Sequence, residues 1–384
     1  MKISTSDRLA LVKEYYFSKK LREVNSLIKS GKKIINMGIG SPDIKPDNSV
    51  IKSLKDSTNF SKSNMYQGYQ GISELREAIS FFYRSKYDVN LNPDNQILPL
   101  IGSKEGILHI SMAFLNKGDK VLIPNPGYPT YTSVTKLVQA KSIFYNLSEK
   151  NKWQPDIEKL FKMNVSGVKI MWLNYPNMPT GADFNHIVLQ KIINWANKKN
   201  ILLVNDNPYS FILNKNPRSI LSIPGAINTA MELNSLSKTF NLAGWRVGML
   251  LGRKELINNV LKVKSNIDSG MYYGIQKGAE KALKLPNLWF DKLNKIYSSR
   301  RKAVFKLATL MNTSYDKESV GMFVWAKIND NSISSEKFTD RILDDHEIFV
   351  CPGNVFGSQG EGFIRFSLCV ELDKINIAIK RLNK

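Results

Sequence analysis

Residues 235–240 of the chain read Ser-Leu-Ser-Lys-Thr-Phe, and residues 244–248 read Gly-Trp-Arg-Val-Gly. Lys238 lies in a stretch with little charge between two apolar runs, although an isolated lysine is more commonly a solvated surface residue. Burial close to a cation such as Arg246 lowers the pKa of a lysine and frees its amine to act as a nucleophile. The guanidinium fork of Arg246 and the neighbouring hydroxyls suit an anionic group beside that amine. The segment therefore predicts a reactive amine next to an anion site.

Apolar runs and helical periodicities alternate on both sides of this segment. Strands are predicted at 121–123, 169–173, 201–205, 231–236 and 247–251, and helices at 102–115, 128–137 and 186–199. The strands are almost continuously apolar, as expected where both faces of a sheet are covered. This order predicts an α/β fold with a mostly parallel sheet flanked by helices.

The two ends of the chain have a different pattern. Apolar positions at helical spacing predict a helix over 7–30, and 34–40 reads as a short strand. Towards the other end, a long predicted helix at 289–311 precedes mixed strands and helices, which indicates a separate α+β lobe. The expected domains are a large α/β domain at 46–284 and a smaller α+β domain at 1–45 with 285–384.

Composition narrows the class of protein. The chain has 384 residues, 42% of them apolar, a net charge of +22 and two cysteines. Its lysines are scattered and no nucleic-acid-binding motif is visible, so we expect no nucleic-acid partner. No apolar run is long enough to span a membrane, and the charged N-terminal region does not resemble a signal peptide. Two cysteines cannot build a disulfide framework, so we expect a reducing, cytoplasmic location.

Four further motifs follow predicted strands. Residues 102–106 (Gly-Ser-Lys-Glu-Gly) open a helix, where backbone N–H groups and the helix dipole favour a phosphate, although such a motif alone is more commonly a turn and cap. Asp206 lies where parallel sheets place functional groups, although it could equally form a turn. The other two motifs, 174–181 and 125–129, are proline-containing loops, and the second carries an aromatic ring at Tyr128.

The five motifs are expected to meet, because the carboxyl ends of parallel strands lie at one edge of a sheet. Together they supply an amine nucleophile, a phosphate cradle, a carboxylate and an aromatic platform. Pyridoxal phosphate requires this set: a lysine for a Schiff base, an acid opposite its pyridine nitrogen, and phosphate anchors. We therefore expect pyridoxal phosphate as the cofactor and no metal ion.

These motifs, in this order over roughly residues 30–380, resemble the fold-type-I, class I/II aminotransferase family, which is aspartate-aminotransferase-like. The resemblance implies that Lys238 forms the Schiff base and moves the substrate proton. It implies that Asp206 keeps the pyridine nitrogen protonated, that Tyr209 donates to the phenolic oxygen of the cofactor and that Tyr128 stacks on its ring. The implied phosphate-binding set is Ser103, Lys104 (through its backbone), Ser235, Ser237 and Arg246.

The resemblance also extends to the substrate and to a second subunit. Arg365, in the motif Phe-Ile-Arg-Phe-Ser, resembles the arginine that pairs with the substrate α-carboxylate. Gly40, in Gly-Ile-Gly-Ser-Pro-Asp, resembles the glycine beside that carboxylate. Tyr66 resembles a tyrosine that reaches the phosphate in the neighbouring subunit, which implies a homodimer.

One position departs from the family pattern. The family loop reads Asn-Pro-Thr-Gly, and its asparagine donates a hydrogen bond to the phenolic oxygen of the cofactor, whereas here Met178 precedes the proline. Methionine has no donor, so either Asn177 leans in or Tyr209 acts alone. Losing a donor to a charged oxygen removes about 1.5–3 kcal/mol of stabilisation. The departure therefore predicts a raised pKa for the Schiff base.

The implied reaction is ping-pong transfer of an amino group from an L-amino acid to a 2-oxo acid, with 2-oxoglutarate as the expected acceptor. Within the family, residues 102–107 and 125–131 look most like the LL-diaminopimelate and alanine/aspartate branches. An alternative on the same scaffold is a C–S β-lyase. A more distant alternative is a non-catalytic regulator that binds pyridoxal phosphate.

Overall fold

The computed structural model describes residues 3–383. Its β-strands are β1 Ile35–Asn36, β2 Ile97–Leu100, β3 Lys120–Asn125, β4 Lys141–Asn146, β5 Val168–Leu173, β6 Leu202–Asp206, β7 Ala230–Ser235, β8 Gly248–Leu251, β9 Thr313–Tyr315, β10 Phe323–Ile328, β11 Ile348–Phe349, β12 Cys351–Pro352 and β13 Phe363–Ser367. Its α-helices are α1 Asp7–Ala10, α2 Tyr16–Lys29, α3 Asn48–Ser57, α4 Ser73–Tyr87, α5 Ser103–Phe114, α6 Pro129–Leu137, α7 Ile157–Lys162, α8 His186–Lys199, α9 Ala226–Thr229, α10 Leu236–Thr239, α11 Lys254–Lys264, α12 Tyr273–Leu283, α13 Asn287–Leu310, α14 Ser335–His346 and α15 Leu372–Leu382.

A seven-stranded sheet has the order β2-β8-β7-β6-β5-β3-β4. Strands β3 to β7 pair in parallel, whereas β8 pairs antiparallel with both β7 and β2. The predicted α/β fold with a mostly parallel sheet is confirmed. The reversal at β8 returns the chain to β7, so that the backbone N–H of Leu236 donates to the carbonyl of Val247 at 3.1 Å. Lys238 and Arg246 are thereby brought to the same edge of the sheet.

Both faces of this sheet are covered by helices. In β3, Val121 and Ile123 belong to a buried cluster with residues of α5, α6 and α11. Leu122, which lies between them, belongs to a second cluster with residues of α4, α8 and α12. Successive side chains of a strand point to opposite faces, so a strand buried on both faces must be continuously apolar. This explains why the central strands were visible in the sequence as apolar runs.

A second group of elements contains the antiparallel sheet β12-β13-β10-β9 and the parallel pair β1-β11. Its buried cluster joins Tyr297 and Val304 of α13 to Val324 of β10 and Ile375 of α15. The pair β1-β11 ties the N-terminal part of the chain to its C-terminal part. The domain limits at 45/46 and 284/285 stay predictions.

The N-terminal segment differs from its prediction. The single helix predicted over 7–30 is two helices, α1 and α2, and Tyr15 precedes α2 in an extended conformation with φ −60° and ψ 125°. Packing overrides helical propensity here, because Tyr15 and Phe17 face a cavity formed with the rest of the chain. The strand predicted at 34–40 pairs only at β1. Within residues 3–383, no helix has the length and apolar character needed to cross a membrane.

Candidate active site

A cavity of about 360 Å³ lies where the parallel strands end, between the large sheet, the β10–β13 sheet and the start of α2. The expected site residues that line it are Gly40, Ser103, Lys104, Tyr128, Asp206, Tyr209, Ser235, Ser237, Lys238, Arg246 and Arg365. The structure therefore brings together residues that lie more than 300 positions apart in the sequence. Tyr66 and Asn177 are not among the lining residues.

Lys238 projects from α10, directly after β7. Ser235 begins this short helix, because its Oγ accepts a hydrogen bond from the backbone N–H of Ser237 at 3.1 Å. The ammonium group of Lys238 donates to the carbonyl oxygen of Gly40, which comes from the N-terminal part of the chain. Burial lowers the pKa of Lys238, and the cations of Arg365 and Arg246 lower it further, whereas Cys369 opposes them. The amine is therefore more readily deprotonated than an exposed lysine amine, as a nucleophile requires.

A cradle for an anion surrounds the start of α5. Gly102 precedes the helix with φ +92°, and a Cβ atom at this position would overlap the guanidinium of Arg246. The Oγ atoms of Ser235 and Ser237 lie 2.8 Å apart on the neighbouring turn. Partial burial and the charge of Arg246 both lower the pKa of Lys104. Helix N–H groups, two hydroxyls and the guanidinium of Arg246 thus lie together at one end of the cavity, which is the donor set that a phosphate group requires.

Asp206 ends β6 with one oxygen left for a ligand. The hydroxyl of Tyr131 donates to its Oδ2 at 2.9 Å, whereas its Oδ1 is buried without a partner. Burial raises the pKa of Asp206 to about 7, and the nearby Glu232 raises it as well. A buried carboxylate with a free oxygen is costly unless a cation or donor meets it. A protonated pyridine nitrogen satisfies this need, so the site fits pyridoxal phosphate.

Arg365 of β13 is a buried cation, with only 4% of its surface exposed. Its guanidinium lies 4.1 Å from the ring centroid of Phe323 and 4.7 Å from that of Phe356. Its Nη2 donates to the carbonyl oxygen of Gly38 at 2.7 Å, and its Nε is buried without a partner. Among residues 3–383 no carboxylate forms a salt bridge with this arginine. The group is thus available for the carboxylate of a ligand, which its planar fork can bind in two places.

The position that departs from the family pattern faces the cavity. Met178 lines it, and the sulfur of Met178 lies 3.2 Å from Nη1 of Arg365. Asn177 does not line the cavity: its Oδ1 accepts from the hydroxyl of Thr180 at 2.7 Å, and its Nδ2 is buried without a partner. Of the two alternatives, the geometry leaves Tyr209 as the donor at this side of the cavity. We therefore correct the expectation that Asn177 binds the cofactor.

Several lining residues were missed in the sequence. Tyr131 lies in the first turn of α6, three residues after Tyr128, which precedes the helix, and the centroids of the two rings lie 5.6 Å apart. Asn174 donates from Nδ2 to the carbonyl oxygen of Asp206 at 2.6 Å and accepts the backbone N–H of Met178 at 2.8 Å. The apolar lining residues gave no such signal, since they look like core positions: Tyr15, Phe17, Leu21, Ile39, Phe323 and Phe356.

Known proteins of one enzyme family are similar to this chain over almost its whole length. Residues 32–382 match the family described as aminotransferase class I and II. A protein from Aquifex aeolicus (strain VF5) named LL-diaminopimelate aminotransferase is 35% identical over 379 residues, which is 98% of each chain. A protein of the same name from Natranaerobius thermophilus is 36% identical over 382 residues and 99% of each chain.

Solved structures agree with these relatives. A structure of apo-BacF from Bacillus subtilis superposes with a TM-score of 0.94 at 31% identity, over 99% of this chain and 98% of that one. An aspartate aminotransferase mutant from Thermus thermophilus has a TM-score of 0.92 over 99% of both chains at 21% identity, which shows the shared fold alone. The expected family and its cofactor are therefore confirmed: the chain belongs to the class I and II aminotransferases, which depend on pyridoxal phosphate.

Proposed function

We propose that this aminotransferase moves the amino group of an L-amino acid to a 2-oxo acid, with 2-oxoglutarate as the acceptor, by ping-pong at Lys238. One observation carries the proposal: a lysine amine with a lowered pKa lies in one cavity with two arginines, Arg246 and Arg365. Arg246 belongs to the phosphate cradle, whereas Arg365 stands apart with an unpartnered Nε. Such a transfer needs one cation to bind the phosphate of the cofactor and a second to bind the substrate carboxylate.

The residues of the cavity divide between the parts of the cofactor. Ser103, Ser235, Ser237, Arg246 and the backbone at Lys104 hold its phosphate in this proposal. Asp206 would pair with the protonated pyridine nitrogen. Tyr209 would donate a hydrogen bond to the phenolic oxygen, and Tyr128 would stack on the ring. When bound, pyridoxal phosphate supplies an aldehyde that captures amino groups and a protonated pyridine that withdraws electrons from the substrate Cα.

The protein's own groups then carry out positioning and proton transfer. Arg365 binds the substrate α-carboxylate, and a fixed carboxylate orients the Cα–H bond for cleavage. Nζ of Lys238 accepts the Cα proton, and its lowered pKa keeps part of the amine unprotonated for this task. Asp206, ionised against the pyridinium, holds the proton on the ring nitrogen. The aromatic side chains around Arg365 exclude water and so strengthen its attraction for the carboxylate.

The proposed assembly is a homodimer in which Tyr66 completes the partner's site. Tyr66 is 92% exposed, and the neighbouring Met65 and Tyr69 are exposed as well. The loop at Gly270 packs against Gln67, so this surface extends beyond a single loop. An exposed apolar patch of this kind is typical of an interface. We also propose a cytoplasmic location, since both cysteines are free and buried and gain nothing from an oxidising compartment.

Mixing two inactive variants tests the shared site. Tyr66→Ala and Lys238→Ala subunits, each inactive alone, should exchange to form hybrid dimers with one intact site. Random exchange then restores about a quarter of wild-type activity. Activity that stays at the level of the separate variants after subunit exchange would rule out a contribution of Tyr66 in trans.

Product analysis tests the reaction itself. The cofactor-loaded enzyme is given a panel of L-amino acids with 2-oxoglutarate, and glutamate formation is measured by chromatography. We expect glutamate and the matching 2-oxo acid in equal amounts, and none with Lys238→Ala. The family and its named relatives favour this outcome over elimination. Pyruvate and ammonia from cystathionine in the absence of any 2-oxo acid would instead identify a C–S β-lyase.

A further inference from the structure

We propose that the amino donor carries a large apolar side chain, preferably an aromatic one, and that diaminopimelate is a poor donor. This inference rests on the proposed function, because it takes Arg365 as the site of the substrate α-carboxylate. It departs from the name LL-diaminopimelate aminotransferase that several relatives carry. The argument comes from the side chains that form the walls of the cavity and from the lack of a free carboxylate among them.

The wall next to Arg365 is aromatic. The ring centroid of Phe17 lies 5.4 Å from the guanidinium of Arg365, and that of Phe356 lies 4.7 Å from it. Phe17 in turn lies 6.2 Å from Phe356 and 5.5 Å from Tyr15, measured between ring centroids. Leu21 and Ile39 also line the cavity. A side chain extending from a carboxylate held by Arg365 therefore meets rings and aliphatic groups, which suit an apolar partner.

The cavity offers no free carboxylate to the far end of a substrate. Asp206 is the one carboxylate that lines the cavity among residues 3–383, and it serves the pyridine nitrogen in the proposed function. The amine of Lys104 lies 4.3 Å from the ring centroid of Tyr15, so a cation borders this wall, but it offers no partner for a second cation. The far end of diaminopimelate carries an ammonium and a carboxylate. Burying that ammonium without a carboxylate partner is strongly unfavourable.

The loop that a second subunit brings to the cavity supplies no carboxylate either. In the proposed homodimer, the loop around Tyr66 reaches the partner's cavity. Residues 57–73 contain no aspartate or glutamate; their exposed large hydrophobic side chains are Phe60, Met65, Tyr66 and Tyr69, and Lys62 is exposed as well. The acid of the adjoining loop, Asp268, is partly buried and paired with the buried Lys264 at 2.8 Å. Residues 57–73 of a partner would thus offer aromatic and uncharged side chains and one lysine, but no carboxylate.

Binding of unreactive analogues tests the inference directly. The cofactor-loaded enzyme is titrated by calorimetry with 3-phenylpropionate and with pimelate, which has the carbon chain and both carboxylates of diaminopimelate. We expect 3-phenylpropionate to bind at least about 10-fold more tightly. In parallel, L-phenylalanine, L-leucine, L-aspartate and LL-diaminopimelate are added singly, and the change in cofactor absorbance is timed. L-Phenylalanine should react fastest.

Each outcome has a separate meaning. If LL-diaminopimelate or L-aspartate reacts faster than L-phenylalanine, or pimelate binds as tightly as 3-phenylpropionate, the inference is overturned while aminotransfer stands. If no amino acid changes the cofactor absorbance, the proposed function fails, and the calorimetric comparison still decides which side chain the cavity prefers.

Variants of the aromatic wall locate the preference. Phe17→Ala should weaken 3-phenylpropionate binding about 10-fold or more, and propionate, which offers only a carboxylate and a short chain, should lose less, because for it only the shielding of Arg365 by Phe17 changes. Leu21→Ala provides a second, smaller truncation with the same expected direction. Leu9→Ala is the matched control, since Leu9 is 52% exposed and lies on α1 outside the cavity. Equal losses for both ligands in Phe17→Ala would show a structural defect and contradict the assignment of this wall.

Discussion

The hydroxyl of Tyr131 donates a 2.9 Å hydrogen bond to Oδ2 of Asp206, while Oδ1 of the same carboxylate is buried without a partner. Burial is the main cause that raises the pKa of Asp206 from 3.8 to about 7. The tyrosine opposes this rise but cannot replace the solvation lost by the second oxygen. The ionised form of Asp206 is therefore destabilised by burial until a cation pairs with it.

This relationship predicts how the stability of the cofactor-free protein depends on pH. A carboxyl group whose pKa is raised by folding stabilises the fold below its unfolded pKa, and this contribution is lost as pH rises through the folded pKa. For Asp206 the loss falls between about pH 4 and pH 7 and is on the order of 4 kcal/mol. Asp206→Asn removes the ionisation. Its thermal midpoint should exceed that of wild type at pH 8, and the difference should disappear towards pH 4.

Calorimetric melting of both cofactor-free proteins at several pH values measures this difference. Asp344→Asn, which changes an exposed carboxylate on α14, is the matched control and should not follow the same pH course. A variant Asp206→Asn that melts no higher than wild type at pH 8 would show that the carboxylate is not strained.

The phosphate cradle predicts a steric effect at Gly102. A methyl group at this residue would overlap the guanidinium of Arg246, and φ is +92°. Gly102→Ala should weaken binding of pyridoxal phosphate about 10- to 100-fold, because it displaces a charged hydrogen-bond donor worth about 1.5–3 kcal/mol. Gly118→Ala is the control, since Gly118 has φ +90° but nothing within 4 Å of the added atom. Similar cofactor dissociation constants for the two variants would mean that backbone strain, not Arg246, explains the loss.

The residue at 178 predicts a spectral change. An asparagine there could donate to the phenolic oxygen of the cofactor, whereas Met178 cannot. Met178→Asn should lower the pH at which the cofactor absorbance titrates by about one to two units, which corresponds to a hydrogen bond of about 1.5–3 kcal/mol. In Met178→Leu, which also lacks a donor, the cofactor absorbance should titrate at the same pH as in wild type. Coincident titrations of all three proteins would disprove the idea.

The environment of Arg365 predicts that lysine cannot replace it. The guanidinium lies 4.1 Å from the ring centroid of Phe323 and donates to the carbonyl oxygen of Gly38, a geometry that a lysine ammonium does not reproduce. Arg365→Lys should lower kcat/KM for amino acids about 30- to 1000-fold, as loss of a buried charge pair costs about 2–5 kcal/mol. The dissociation constant of pyridoxal phosphate should stay within about 3-fold of wild type. A loss confined to cofactor binding would place Arg365 outside the substrate site.

The parts of the fold that could be predicted from the sequence are those determined by patterns of neighbouring residues. The strands β5 and β6 are largely buried, so they appear as apolar runs, broken in β5 only by the exposed Lys169, and β6 ends in polar residues such as Asp206. Lys238 could be singled out because a lysine in an apolar, hydroxyl-rich stretch is unusual. The limits of these elements shifted by only a residue or two, since their ends coincide with turn-forming residues.

The parts that were missed depend on long-range packing. The break between α1 and α2 has no strong local signal, and it forms because Tyr15 and Phe17 turn into the cavity against Phe356. Asn177 and Met178 are neighbours in the loop, and only the fold decides which of them faces the cavity. The hydrogen bond of Thr180 to Asn177 settles that choice, and no spacing in the sequence indicates it.

The account rests on a covalent link between Lys238 and pyridoxal phosphate. Reduction of the cofactor-loaded protein with borohydride makes such a link permanent, and peptide mass spectrometry then locates the modified residue. The account predicts one phosphopyridoxyl group on the peptide that contains Lys238 and none on Lys104. Labelling of another lysine, or an unlabelled peptide at Lys238 in a protein that retains the cofactor, would contradict it.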